Sequence, residues 1–205
     1  MQKEFIIENL PTDFCHASTV IKTPDGLLSC WFGGTHEGKA DVAIWSSRKV
    51  DGKWTAPVKL ADGVESNWNP VLFYNEQGKL HLFYKEGQQI SDWKTYLMTS
   101  DDNGKTWSEP CEMVVGDVSG GRGPVRNKPI TLSNGSVVAG GSIEKGIWSA
   151  FVDVSTDGCV AWEKSAPIEI VGLMYNAGEK TAESNIAVSE QSFYGRGVIQ
   201  PSLWE

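Results

Sequence analysis

The fold of this chain is decided by the stretch Ser100-Asp101-Asp102-Asn103-Gly104-Lys105-Thr106-Trp107, which reads S-x-D-x-G-x-x-W. An aspartate at this place can accept hydrogen bonds from backbone N–H groups of its own turn. The glycine can take the positive φ that closes a turn without steric cost. The tryptophan offers a large flat face to a neighbouring sheet. The stretch therefore predicts a tight turn within a β-hairpin, with Trp107 opening the next strand.

The same pattern recurs at a nearly constant period. Residues Ser155, Asp157 and Trp162 repeat the offsets, and a looser copy runs from Ser46 to Trp54. Cys159 holds the place of the glycine in the last copy. The tryptophans of the three copies fall 53 and 55 residues apart. Hairpins repeated about every 50 residues are typical of a β-propeller, in which each repeat is one four-stranded blade.

The repeats predict an all-β chain that forms one partial propeller domain over residues 1–205. We expect almost no helix, because no stretch keeps an apolar residue every third or fourth position. The boundaries of the predicted parts are 14–62 for blade 1, 66–116 for blade 2, 126–172 for blade 3, 197–205 for the first strand of a fourth blade, and 4–10 for a strand that completes the last blade.

Three blades and a fragment do not close a ring, since propellers have roughly four to eight blades. We therefore expect the chain to be the N-terminal half of a larger protein, which makes the missing C-terminal half its first partner. The alternative is that a separate chain closes the ring.

The composition restricts the classes of partner. The net charge of −8 argues against nucleic acid as the main partner. No run of about 18 apolar residues exists, so no membrane span is expected. The N-terminus lacks the apolar core of a signal peptide, which predicts a cytoplasmic protein. A secreted or periplasmic chain trimmed after its signal would read the same.

The cysteines predict neither a metal site nor a disulfide framework. They show no C-x-x-C pair, so we expect buried free thiols at Cys15, Cys30, Cys111 and Cys159. Nothing in the sequence calls for a cofactor.

The candidate site lies on the face opposite the repeated turns. The long, irregular loops between second and third strands, and the connections between blades, share that face, and function tends to sit on such loops. The first strands of the blades open there with His16, Asn69, Lys128 and Gln200. Polar side chains that converge on one axis are costly when unpaired. This favours a polar ligand, although the side chains could also pair with one another or with ordered water.

The same loops carry carboxylates and cations. Hydrolysis of an acidic sugar needs a carboxylic acid that protonates the leaving oxygen and a cation that holds the carboxylate of the sugar. Each charge taken alone is also what a solvated loop residue would show. The candidates are Glu37, Asp41, Lys85, Glu86, Arg122, Arg126, Glu144 and Arg196.

Several runs resemble the bacterial branch of the BNR/Asp-box sialidases (neuraminidases). They are C-H-A-S-T-V, W-F-G-G-T-H-E-G, W-N-P-V-L-F, L-H-L-F-Y-K, N-K-P-I-T-L-S-N-G-S and Q-P-S-L-W. The similarity covers residues 14–205. It implies a propeller with six blades when complete and a glycosidase that releases terminal sialic acid from a glycan.

The resemblance also implies roles for individual residues. It places the acid/base carboxylate in the second loop of blade 1, where Asp41 and Glu37 stand. In the family, an arginine at the start of the first strand of blade 1 binds the substrate carboxylate. This chain reads Cys15-His16-Ala17-Ser18 there, so His16 stands near the place of that arginine. The Tyr/Glu nucleophile pair and two further arginines would lie beyond Glu205.

We therefore expect a sialidase-like exo-glycosidase that acts on a terminal acidic sugar, with His16, Lys85, Lys128 and Gln200 shaping its pocket. Because the first arginine is absent, two alternatives stay open. One is a carbohydrate-binding propeller without activity, and the other is a polysaccharide lyase that acts on uronates with a His or Tyr base.

Overall fold

A computed structural model describes residues 3–144, 148–168 and 197–205. In these ranges the chain forms thirteen strands and one 3-10 turn, Ile90–Asp92. The strands make three antiparallel sheets, so the all-β prediction is confirmed. No helix in the described ranges is long and apolar enough to cross a membrane. The candidate Arg196 and the end of predicted blade 3 lie outside the described residues.

Sheet A contains the first five strands. Its order is β1-β2-β3-β4, and β5 also pairs with β3. The strands are β1 (Phe14–Thr23), β2 (Gly26–Gly34), β3 (Ala43–Val50), β4 (Lys53–Trp54) and β5 (Val58–Ala61).

Sheets B and C repeat a simpler pattern of four strands, each paired with the next along the chain. Sheet B consists of β6 (Asn67–Tyr74), β7 (Leu80–Glu86), β8 (Lys94–Ser100) and β9 (Cys111–Glu112). Sheet C consists of β10 (Ile130–Thr131), β11 (Val137–Ile143), β12 (Ser149–Ser155) and β13 (Glu163–Lys164).

Sheet B lies between the other two sheets, because the two faces of its strands join different cores. On β7, Leu80, Leu82 and Tyr84 pack in a cluster with sheet A. Phe83, between them in sequence, packs with β11 of sheet C. Side chains alternate across a strand, so one strand serves both cores. The two clusters stack the sheets in chain order.

The S-x-D-x-G-x-x-W turn closes as its chemistry predicts. In sheet B, Oδ1 of Asp102 accepts the N–H groups of Lys105 and Thr106 at 3.0 and 2.8 Å. The hydroxyl of Ser100 accepts the N–H of Gly104 at 2.7 Å. The Asp102 carboxylate also accepts the hydroxyls of Thr106 and Ser100 at 2.6 and 2.8 Å. The hydrogen bonds to this carboxylate hold the pKa of Asp102 well below its usual range, the hydroxyl and N–H of Thr106 contributing most.

The turns of sheets B and C also reach the sheet before them. Arg48 of sheet A donates to the carbonyl of Asn103 at 2.6 Å, and within sheet B the Tyr74 hydroxyl donates to the side-chain oxygen of Asn103 at 2.9 Å. In the next repeat, the amide of Asn75 donates to the carbonyl of Gly158 at 3.1 Å. Neighbouring sheets are therefore tied at the turn edge as well as through their cores.

The fourth strands are shorter than the sequence pattern predicts. Trp162 directly precedes β13 and Trp107 lies four residues before β9, and both strands cover only two residues. Proline has no N–H to donate to a ladder, and Pro110 and Pro167 stand beside these short strands. The tryptophans pack as large apolar faces rather than opening long strands.

Two predicted strands do not form in the described residues. Residues 4–10 have no ladder partner; instead, Glu4 forms an ion pair with Lys49 of β3. Residues 198–204 are likewise outside any strand. They follow a single bridge between Gly197 and Trp148. These segments lie against a sheet without extending it.

The prediction of four buried thiols is half wrong. All four cysteines are free, but only Cys30 and Cys159 are buried, while Cys15 and Cys111 are exposed. Cys15 and Cys111 lie at strand positions that face solvent, which short or edge strands allow. Burial raises the pKa of the Cys159 thiol to about 12, so the buried pair stays protonated.

Candidate functional site

The edge of sheet A opposite the turns carries exposed polar groups. β1 begins there, with Phe14 paired to Gly34 and His16 paired to Phe32. The exposed imidazole of His16 stands edge-on to the ring of Phe32, with centroids 5.7 Å apart. A carbon added to Gly34 would come within 3.1 Å of the Asp41 carboxylate. His16 and Asp41 therefore share one edge of the sheet.

Asp41 is exposed and held in place by one residue. Its carboxylate accepts the N–H of Thr35 at 3.0 Å and the Thr35 hydroxyl at 3.1 Å. Glu37, in the same loop, is also exposed. A carbon on Gly38 would lie 3.8 Å from the indole of Trp68, so the loop extends from sheet A to the start of sheet B.

The first strands of sheets A and B, β1 and β6, share a backbone feature that the side-chain pattern did not reveal. The register of β1 against β2 shifts just after His16, and that of β6 against β7 shifts just after Trp68. Ala17, Asn69 and Gln200 have φ values of 49°, 46° and 53°, which is uncommon outside glycine. Such β-bulges often stand beside functional sites.

The bulges correct the proposed equivalence of the four polar residues. Asn69 and Gln200 themselves have the left-handed backbone conformation. In β1 this conformation belongs to Ala17, the residue after His16. Lys128 is not among the described residues with positive φ. Sequence spacing alone could not show this, because only the pairing with the neighbouring strand reveals where a bulge adds a residue.

Lys128 joins the first strands of two sheets. Its ammonium donates to the Thr19 hydroxyl of β1 at 3.1 Å and to the Leu72 carbonyl of β6 at 2.8 Å. Burial lowers its pKa, although the side chain keeps contact with solvent. The residue ahead of it, Asn127, donates to the carbonyl of Gln200 at 2.7 Å. Arg126 is exposed.

Lys85 is not a surface group, which corrects its predicted role in contacting substrate. It is fully buried. Its ammonium donates to the Thr95 hydroxyl at 2.7 Å, to the Gly123 carbonyl at 3.4 Å and to the carbonyl of Arg122. Burial lowers its pKa to about 7, against the opposite influence of Asp153 and Glu144. Three protein oxygens thus occupy its three donors.

Glu144 is also buried, at 8% exposure. One oxygen accepts the hydroxyl of Ser142 at 3.1 Å. Burial raises the pKa of the Glu144 carboxyl, while Ser142 and Lys85 oppose the change. Arg122 is buried as well, and its Nη2 lies 2.7 Å from the carboxylate of Asp153. Glu86, in contrast, accepts the N–H of Val64 at 3.1 Å.

The structure thus divides the candidates into an exposed set and a buried set. His16, Glu37, Asp41 and Arg126 are exposed, Asn69 and Gln200 are half-buried, and Lys85, Arg122 and Glu144 are buried. Asp153 was missed, although a lone aspartate in the run Phe151-Val152-Asp153-Val154 is a signal for a paired buried charge. In the described part of the chain, no group of three His, Cys, Asp or Glu could hold a metal ion.

Solved structures share this arrangement of sheets. The Hadza microbial sialidase Hz136 is 19% identical over 77% of this chain and 38% of its own, with a TM-score of 0.62. The NanB sialidase from Streptococcus pneumoniae is 11% identical over 81% of this chain and 46% of its own, with a TM-score of 0.65. A protein of unknown function from Dyadobacter fermentans is 17% identical over 76% and 55%, with a TM-score of 0.63.

These identities establish a common fold alone, and the chain spans between 38% and 55% of the length of those proteins. No curated protein matches the sequence at a significant level. The family model of the BNR repeat-like domain matches residues 25–205. Since that match covers most of the sequence, the chain belongs to the BNR repeat-like domain family.

Proposed function

We propose that sheets A, B and C are three successive blades of a sialidase-type β-propeller that has six blades when complete. The stacking of sheet B between its neighbours supports this arrangement. So does the segment 197–205, because a carbon added to Gly140 of sheet C would lie 2.8 Å from Pro201. In this proposal the blades cover about 14–62, 66–116 and 126–172, and residues 197–205 begin the fourth.

The function that we infer is a sialidase-like exo-glycosidase that releases a terminal acidic sugar. The observation that carries it is the exposed carboxylate of Asp41, which Thr35 orients at the edge where His16 is also exposed. A general acid must be open to substrate and fixed in direction. Asp41 meets both conditions, and Glu37 in the same loop is the second candidate.

In this proposal each exposed group has a separate task. The Asp41 carboxyl passes a proton to the leaving oxygen and later takes one from water. Arg126 and the solvent-exposed part of Lys128 supply positive charge for the carboxylate of the sugar. The imidazole of His16 stands near the place of the missing arginine and donates a hydrogen bond to the same ring. Lys85 and Glu144 touch no ligand.

The test is an assay of the longest natural form of the protein that contains this chain, against a panel of sialosides and uronides. Asp41→Asn and Glu37→Gln would be compared with wild type. Glu76→Gln, an exposed residue at the turn edge, is the matched control. We expect release of free sugar by wild type and the control, and loss of release in Asp41→Asn.

Other outcomes would assign a different function. An unsaturated product, detected by its ultraviolet absorbance, would show a lyase. Binding of the sugars without cleavage would show a carbohydrate-binding protein. If both Asp41→Asn and Glu37→Gln still cleave the sugar, the loop between β2 and β3 takes no part in catalysis.

A further inference from the structure

Arg122 is the centre of a buried charge cluster between sheets B and C. Its Nε donates to Asp153 at 2.8 Å, its Nη1 to Asp117 at 2.9 Å, and its Nη2 to the Trp162 carbonyl at 3.2 Å. The other oxygen of Asp153 accepts the N–H of Gly123 at 2.6 Å. Asp153 is fully buried. Side chain and backbone of the segment are thus both fixed to β12.

The peptide group between Arg122 and Gly123 is also fixed to sheet B, through its carbonyl. The carbonyl of Arg122 accepts the Lys85 ammonium and the Thr95 hydroxyl. The Lys85 ammonium also donates to the Thr95 hydroxyl at 2.7 Å. Buried polar groups that are all satisfied specify one arrangement, because any displacement leaves a donor or acceptor unpaired.

The path of the segment allows little variation. Gly121 and Gly123 have φ values of 73° and 68°, a region that other residues adopt at a cost. A carbon added to Gly121 would overlap the Ser142 carbonyl, and one added to Gly123 would overlap the sulfur of Met113. At positions 121 and 123 the backbone therefore passes through a slot that only glycine fits.

The segment leads directly to the exposed edge. We call residues 120–128 the B–C connection. Three residues beyond the slot, Arg126 is exposed. Asn127 binds the carbonyls of Gln200 and Pro201 at 2.7 and 3.2 Å, and the Lys128 ammonium binds β1 and β6. One segment therefore touches all three sheets and supplies two exposed candidate cations, Arg126 and Lys128.

We propose that Lys85, Thr95 and Arg122 are positioning residues that clamp the B–C connection, so that Arg126 and Lys128 face an acidic ligand at fixed places. Lys85 acts from the protein interior, by holding the carbonyls of Arg122 and Gly123. The ligand half of this proposal rests on the proposed function. The clamp itself is a property of the fold.

The sharpest test uses Thr95, because its replacement leaves every charge in place. Thr95→Val keeps the shape and removes the hydroxyl, and Thr95→Ser restores a hydroxyl. Thr99→Val makes the same change on the same strand, away from the B–C connection. Hydrogen exchange of the amides between 121 and 126 and the binding of free N-acetylneuraminic and glucuronic acid would be measured for each variant.

We expect exchange in Thr95→Val to be about tenfold faster than in wild type, as the loss of one or two buried hydrogen bonds implies. Acidic sugar should bind several-fold more weakly, with kcat retained where cleavage occurs. Thr95→Ser should recover most of both effects, and Thr99→Val should show neither.

The outcomes separate the two halves of the proposal. Unchanged exchange in Thr95→Val would refute the clamp. Faster exchange with unaltered binding, while Arg126→Ala weakens binding, would refute the positioning role. Failure of wild type to bind either sugar would overturn the proposed function and the ligand half, whereas the exchange rates would still confirm or refute the clamp.

Discussion

Gly104 of sheet B lies so close to Leu28 of sheet A that a carbon added to it would come within 2.7 Å of the leucine methyl. The φ of Gly104 is 80°. Both the backbone conformation and the narrow space between the sheets therefore disfavour any side chain at this position. Gly52, in the equivalent turn of sheet A, has a φ of 78° but nothing within 4 Å. A comparison of the two glycines therefore separates the effect of backbone strain from the effect of packing.

Gly104→Ala should therefore destabilise the protein more than Gly52→Ala. We expect Gly52→Ala to cost about 1 kcal/mol from backbone strain, and Gly104→Ala to cost roughly 1 to 3 kcal/mol more because the methyl group overpacks the interface. Urea unfolding of the two variants and wild type gives the comparison. Equal losses would mean that the sheets separate easily enough to admit the methyl group.

The turn aspartates should make the stability depend on acid. Hydrogen bonds from the turn hold the pKa of Asp102 and of Asp157 below the usual range. A carboxyl whose pKa is lower in the folded state stabilises the fold above its unfolded pKa of about 3.9. That stability is lost as the pH falls through the folded pKa.

The measurement is the urea midpoint between pH 5 and pH 2 for wild type and Asp102→Asn. We expect a smaller decrease in the variant, because one of the titrating groups is gone. Asp13→Asn, an exposed residue outside the turns, is the control and should follow wild type. Parallel curves for Asp102→Asn and wild type would contradict the role of the turn bonds.

Lys85 predicts a similar rise of stability with pH, but in the neutral to alkaline range. Its pKa is about 7 in the fold, because burial lowers it, and about 10.4 in an unfolded chain. Between these values the unfolded state binds more protons, so the free energy of unfolding rises with pH. We expect the denaturation midpoint to increase from pH 7 to pH 9 in wild type.

Lys85→Met should remove that increase and lower stability at every pH, since the Gly123 carbonyl loses its lysine donor and the Arg122 carbonyl keeps only the Thr95 hydroxyl. Lys79→Met changes a half-buried lysine at the start of the same hairpin, paired with Asp101, and should retain the rise. If the denaturation midpoint of Lys85→Met still increases from pH 7 to pH 9, a group other than Lys85 titrates in this range.

The orientation of Asp41 is testable through Thr35. Thr35→Val removes the hydroxyl bond of 3.1 Å and leaves the N–H bond of 3.0 Å. If Asp41 is the acid, we expect kcat to fall about three- to tenfold in Thr35→Val and at least about a hundredfold in Asp41→Asn. A kcat for Thr35→Val equal to that of wild type would mean that the hydroxyl does not orient the carboxylate.

The features that the sequence predicted well are local. The turn around Asp102 was predictable because its acceptors and donors lie within four residues of each other. The all-β class followed from the repetition of that turn. The burial of Lys85 was not predictable, since its acceptor on Arg122 is 37 residues away. A charged residue at the end of a strand looks the same in sequence whether a later segment covers it or not.

The alignment of the first strands failed for a different reason. Because His16 and Asn69 both open first strands in the sequence pattern, they are expected to be equivalent. The strand partners show that His16 and Trp68 each precede a register shift, so the correspondence moves by one residue. A one-residue change reverses the face on which a side chain lies, and only the ladder reveals it.

The exposure of Cys15 gives the native protein a reporter for this edge. Cys15 precedes His16 and is open to solvent, as is Cys111 on the short β9 strand. Cys30 and Cys159 are buried, and burial raises the pKa of both thiols. Within residues 1–205 a thiol-reactive fluorophore will therefore label the two exposed cysteines, and Cys111→Ser leaves one dye in this stretch, beside His16. Its emission can follow occupancy of the edge during a titration with sugar.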